Sequence, residues 1–141
     1  MSLHHRSQIR LAAKLALQHC AHFNGLSLRS AWASNVSLDA LPLMALLTPQ
    51  ERVTHATHTT TDREVDLIFL IRRAGGEDLE DQLDLDSLHA ETTIIAALRT
   101  QGFGVALQST EVTIDQSGER RIGSLDLKFE VLLTAPEPLT L

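Results

Sequence analysis

This sequence has a single cysteine, one tryptophan and no tyrosine. Cys20 therefore has no intrachain partner, which excludes a disulfide scaffold, fits a reducing compartment and leaves stability to packing. The shortage of aromatic residues argues against an aromatic ligand box or a base-stacking platform, so Trp32 reads as a core residue or an interface anchor. Long apolar runs are missing as well. None approaches the roughly 20 residues that cross a bilayer, and His4, His5, Arg6 and Gln8 stand where a signal peptide would carry its apolar core. The chain reads as neither membrane-spanning nor secreted. Positive charge is also scarce, with 12 Lys and Arg against 18 Asp and Glu and a net charge of −6. Sequence-independent DNA binders rely on clustered Lys and Arg to release phosphate counterions, and here the basic residues are scattered. An acidic wall can still lie beside DNA without gripping it.

What is present fits one globular domain spanning 1–141. A chain of 141 residues, 43% hydrophobic and 21% charged, is long enough for one core and leaves little room for a second. Ile9, Ala12, Ala13, Ala16, Cys20 and Phe23 recur at helical spacing and predict a helix over about 3–23, capped by Ser2 and stopped by Asn24-Gly25. Leu11, Leu15 and Leu17 fall outside that stripe, so the apolar surface is wider than one contact needs and points to a neighbouring subunit.

Extended segments are expected at Leu28 to Ser34 and at Pro42 to Thr48, the second closed by Pro49. From Gln50 to Asp62 the chain is polar and rich in Thr and His, which fits either a long loop or a strand extension beyond the core. Val65, Leu67, Phe69 and Ile71 alternate as a strand that ends at Arg72 to Gly76. Glu77, Asp78, Glu80, Asp81, Asp84 and Asp86 then precede a second helix, with a stripe of Leu85, Leu88, Thr92, Ile95 and Leu98 and a stop at Gly102. Val112 and Ile114, the turn Asp115-Gln116-Ser117-Gly118, and the alternation from Ile122 to Leu133 form a β-hairpin. Pro136 and Pro138 make 135–141 an extended tail unsuited to a central strand. The order helix, three strands, helix, hairpin implies an α/β (α+β) domain, its mixed or mainly antiparallel sheet packed by two helices.

Residues that carry chemistry do not assemble into a recognised pattern. The chain has seven histidines. His19 and His22 flank Cys20 on the first helix, and His55 and His58 share the polar segment. Either pair offers two ligands where a structural zinc site wants four, so solvated histidines and a packed Cys20 are the plainer reading. The acidic run lacks the spacing of a calcium loop. Gly102-Phe103-Gly104 follows a helix and lacks a third glycine, and Ser109, Ser117 and Ser124 have no nucleophile-elbow context. We therefore expect no catalytic residues, no metal and no cofactor, and a protein that is not an enzyme. The Arg72-Arg73 and Arg120-Arg121 pairs flank turns, where they serve as solvated strand ends or meet an acidic partner across a seam.

Several segments share a pattern with a known family. Gln8-Ile9-Arg10-Leu11-Ala12, the run from Leu41 to Thr48, the alternating strand from Val65, Asp84-Leu85-Asp86 leading into Glu91 and Leu98, and Gly123 to Val131 resemble the tail terminator proteins of long-tailed phages. Together these cover most of the chain. The resemblance implies a virion structural protein, a minor tail protein that forms a hexameric ring on the head-proximal end of the tail tube. It would be made in the host cytoplasm, monomeric before assembly. Its partners would be further copies of itself, the tail tube protein and the head completion or connector protein, with DNA passing the lumen unbound. Its expected roles are tail assembly and head-tail joining. The polar segment Gln50 to Asp62 is the expected contact arm, and Arg52, His55, His58, Arg63, Arg72, Arg73, Arg120 and Arg121 are the expected interface residues. The alternatives are another neck or head-tail completion protein, or a small metal- or ligand-binding domain using His19, His22, His55 or His58.

Overall fold

The computed structural model describes residues 3–29, 41–117 and 120–140. Helix α1 (His5–Gln18) and a 3-10 turn (Ala21–Phe23) lead into β1 (Ser27–Arg29), β2 (Leu43–His55) and β3 (Thr60–Gly75). Helix α2 (Leu79–Thr100) and the strands β4 (Gly104–Ser117) and β5 (Arg120–Pro136) follow. The described strands form one sheet of five in the order β1-β2-β3-β5-β4. Only β1 and β2 run parallel, so the sheet is mixed and mainly antiparallel, as the element order implied. Alternation along the strands sends Met44, Leu46, Val65, Leu67, Phe69, Ile71, Leu125, Leu127, Phe129 and Val131 to one face, where both helices cover them in a single core. Fully burying one such side chain stabilises the fold by about 1.5–3 kcal/mol. The chain is thus an α+β domain with its helices on one side of a sheet.

The helix expected over 3–23 is shorter. It stops at Gln18: the His19 N–H makes the last helical bond, to the Leu15 carbonyl at 3.2 Å, the Cys20 N–H tightens onto the Leu17 carbonyl at 3.1 Å, and Cys20 adopts an extended conformation (φ −82°, ψ 120°). The N-cap is His4, whose ring accepts from the Arg6 backbone N–H at 3.1 Å; Ser2 lies outside the described residues. Gly25, at φ +83°, ends the 3-10 turn rather than α1. Leu17 belongs to the core, while Leu11 and Leu15 stay exposed.

Strand β2 runs through Pro49 instead of stopping there. The register with β3 shifts between Leu47 and Gln50, and at such a bulge a residue without an N–H costs no ladder bond. The polar segment is consequently a strand extension, with 56–59 as its turn. Residues 30–34, Trp32 among them, and Gly118 of the hairpin turn lie outside the described residues.

The stripe of α2 is the largest revision. Leu79, Leu83, Asp86, Ala90, Ile94 and Leu98 face inward, with Asp86 met there by Arg73 and His22, and Leu85 and Leu88 face out; α2 also starts at Leu79, inside the acidic run rather than after it. The C-terminal tail begins later than expected, since β5 extends to Pro136, opposite Thr60. Strand β4 reaches only as far as Leu132, so beyond that point one side of β5 is an open edge where proline is tolerated.

Candidate functional site

The ends of β2, β3 and β5 make a three-stranded arm. Residues 50–55 pair with 61–66, and 60–64 pair with 132–136. The N-terminus of α1 reaches Glu51 and Thr48, and the arm continues past it to an exposed tip at 53–59. At about 3.3 Å per residue, the stretch from Val53 to the turn projects roughly 10–13 Å.

The tip is tied rather than loose. Thr57 Oγ1 accepts from the backbone N–H groups of Thr59 and Thr60 at 3.2 and 3.1 Å, a hydroxyl-centred turn. His55 Nε2 lies 2.6 Å from Glu137, and the Glu137 N–H donates to the Thr59 carbonyl at 2.9 Å. The buried Thr61 hydroxyl donates to the Ala135 carbonyl at 3.1 Å, and Thr134 to Asp62 at 3.2 Å. Bonds of this kind hold β5 and the segment after it against the hairpin.

The root of the arm carries charge on both faces. On the helix side Glu51 is 6% exposed and takes His5 Nε2 and Arg63 Nη1, the latter at 2.9 Å, with Arg6 at 3.7 Å. Burial by itself would raise the Glu51 carboxyl, but hydrogen bonds and charge from His5 and Arg63 outweigh it and hold the group below its ordinary 4.5. His4, its ring tilted against that of His5 with centroids 4.0 Å apart, is held below the usual histidine value by burial and then by the charges of His5 and Arg6. On the other face Arg52 spans Glu64 at 3.0 Å and Asp66 at 3.1 Å, and Lys128 stands 3.6 Å from Asp66. The hydrogen bond to Asp66, then that to Glu64, raises the Arg52 guanidinium above its ordinary value.

A pH dependence follows from Glu51. Its folded-state value lies below the unfolded one, so the stability it supplies is complete above about pH 4.5 and is lost as pH falls through the folded-state value. Urea unfolding from about pH 6 down to pH 3 should therefore show a flatter decline for Glu51→Gln than for the parent. Parallel declines would assign the acid sensitivity to other carboxylates.

The eight expected interface residues fall into two groups at opposite ends of β3. Arg52, His55, His58 and Arg63 share the arm. Arg72, Arg73, Arg120 and Arg121 gather at the far end, where Gly75 opposes Arg121 and Ser117 opposes Arg120. Arg52, Arg63 and Arg73 are engaged in ion pairs within the protomer. His58 and Arg120 are exposed.

Sequence reasoning missed Asp86, which it had placed in an exposed acidic run. This carboxylate is buried on α2, with Arg73 Nε at 2.6 Å and Nη2 at 2.9 Å, and His22 Nε2 at 2.8 Å. His89 stacks on His22 at 4.1 Å and 11°, beside a cleft of about 240 Å3 lined by His22, Arg73, Gln82, Leu85 and Asp86. Both oxygens of Asp86 are occupied by these partners, so the cluster is built as a staple between the 3-10 turn, β3 and α2. Of the other suspected ligands, His19 bonds the Leu15 carbonyl at 2.7 Å and Cys20 accepts from Thr93 at 3.7 Å. Among the described residues no three of His, Cys, Asp and Glu converge as a metal site would require. No helix among them is long and apolar enough to cross a membrane.

A cleft of about 420 Å3 lies between the start of α1 and the end of β5, with Leu3, His4, His5, Leu133 and Ala135 in its wall. It opens beside the arm. The fold and this surface define an α+β domain whose most distinctive feature is a hydrogen-bonded strand arm. No family model matches the chain, and no curated protein is similar to it in sequence.

Proposed function

We propose that this chain is a structural protein of a long-tailed phage virion that caps the head-proximal end of the tail tube, stops tube polymerisation and presents a face for head docking. The observation that supports the reading is the arm. A strand extension with a hydrogen-bonded tip, held beyond the core by three strands, is suited to reach a neighbouring subunit or the tube rim without paying the ordering cost of a flexible loop. The resemblance of the segments quoted above to tail terminators points the same way, and so does the acidic balance, since a negative lumen repels phosphates and leaves DNA free to slide. In this reading the chain is a homohexamer on the tube, and its other contacts are the tube protein and a head completion protein.

Replacing 57–59 by a two-residue Asn-Gly turn, which keeps Ala56 opposite Thr60 and His55 opposite Thr61, tests it. All side chains removed are exposed, so the thermal midpoint should stay within about 2 °C while binding to tail tubes is abolished. Retained binding would remove the arm from the interface and the reading with it.

A further inference from the structure

We infer that the outer surface of the helix layer is a contact between two copies of this chain, with α1 of each copy seated on the N-terminal half of α2 of the other. The inference stands apart from the terminator reading. Leu11 and Leu15 on α1 and Leu85 and Leu88 on α2 are between 44% and 58% exposed, although leucine is among the residues most often buried. Each pair is on the side of its helix turned away from the sheet, so together they make an apolar surface on one side of the molecule.

Charge decides what covers it. Helix α1 carries Arg6, Arg10 and Lys14 and no carboxylate, whereas the first half of α2 carries Glu80, Asp81, Asp84 and Asp86. Arg6 and Arg10 are partly engaged by Glu51 and Thr48, and Asp86 is buried. Lys14, Asp81 and Asp84 are exposed and have no ion-pair partner among the described residues. Lys14 follows Leu11 by three residues on α1, and Asp81 and Asp84 precede Leu85 and Leu88 by four on α2, so each charge neighbours a leucine of its patch. The two patches are thus alike in apolar design and opposite in charge. Because both lie on the same side of one molecule, a two-fold axis in the contact plane exchanges them, bringing Lys14 of each copy to the Asp84 side of the other twice over. A heterologous ring contact would need the patches on opposite sides.

Sedimentation of the full chain over a wide concentration range reads the outcome. We expect a reversible monomer-dimer equilibrium that weakens as salt is added. Lys14→Glu and Asp84→Lys should each raise the dimer dissociation constant at least about tenfold, and the two together should restore it to within about threefold. Leu15→Asn should also weaken the dimer at least about tenfold and leave the thermal midpoint unchanged, since the position is exposed. A monomer at every concentration overturns the inference and leaves the face to a different partner. So does a double variant no tighter than its weaker parent, or an oligomer of any size that ignores all three substitutions. Tube binding by the arm is read separately, so either proposal can fail alone.

Discussion

Replacing Asp86 by alanine is expected to lower the free energy of unfolding by about 3–5 kcal/mol. The side chain of Asp86 is 1% exposed and answers two cations, the Arg73 guanidinium through two hydrogen bonds and His22 through one. Arg73 is itself mostly buried, with 18% of its side chain exposed at the cleft, so removing the carboxylate strands a guanidinium that is largely cut off from water and has no second ion-pair partner among the described residues. The cost is the desolvation of that stranded charge rather than the worth of the pair. It follows that Asp86→Leu combined with Arg73→Met should recover most of the loss, because an apolar pair of similar volume leaves no buried charge behind. Urea midpoints at unchanged slope would measure both effects. A domain of this size is typically stable by only about 5–15 kcal/mol, so the single variant would be partly unfolded in mild denaturant. A double variant as unstable as the single would show that the charges themselves, and not their mismatch, hold the 3-10 turn against α2.

The same carboxylate explains where the sequence misled. A reader of hydropathy tracks the most apolar stripe, and along α2 the stripe through Leu85, Leu88, Thr92, Ile95 and Leu98 avoids charge, whereas the true one passes through Asp86. Nothing local marks Asp86 as buried. Its partners Arg73 and His22 are 13 and 64 residues away in sequence, and only the folded topology brings them within 3 Å. The sheet was easier to read. In β5 buried and part-exposed positions alternate without a break from Gly123 to Val131, and in β3 Val65, Leu67, Phe69 and Ile71 mark the core face although Asp66 and Leu70 on the other face are buried too. The arm was half legible. Arg52-Val53-Thr54-His55 has strand-forming residues, but the turn His55-Ala56-Thr57-His58-Thr59 contains no Gly, Pro, Asn or Asp, and the Thr57 hydroxyl does the work that those residues usually signal. Of the expected interface residues, position in the fold was legible from turn signals. Engagement was not, since a surface arginine and one that pairs with a buried carboxylate look alike in sequence.

Gly123 gives the second large effect, and no periodicity would have singled it out. It is buried in β5 opposite Arg73 and Ile114, at the point where the first turns of α2 cross the sheet. A Cβ there would stand 2.7 Å from Leu83 Cδ1 and 3.0 and 3.1 Å from Leu79 Cγ and Cδ2. Both leucines are fully buried and fixed by their neighbours, so neither side chain can swing aside without displacing the core. Gly123→Ala is therefore expected to cost about 1–3 kcal/mol, and Gly123→Val more, even though β-branched residues favour strands. The sign of the effect separates this account from a propensity argument, under which both substitutions would stabilise. Coupling provides the sharper check. Leu83→Ala alone should cost about 2–5 kcal/mol by leaving a cavity, yet in the Gly123→Ala background it also removes the clash, so the double variant should be more stable than the sum of the two predicts. Strict additivity would mean that α2 shifts as a body to admit the new methyl. In that event Asp86 would move with it, and the shift would be seen as a weakened response to Asp86→Ala in the same background.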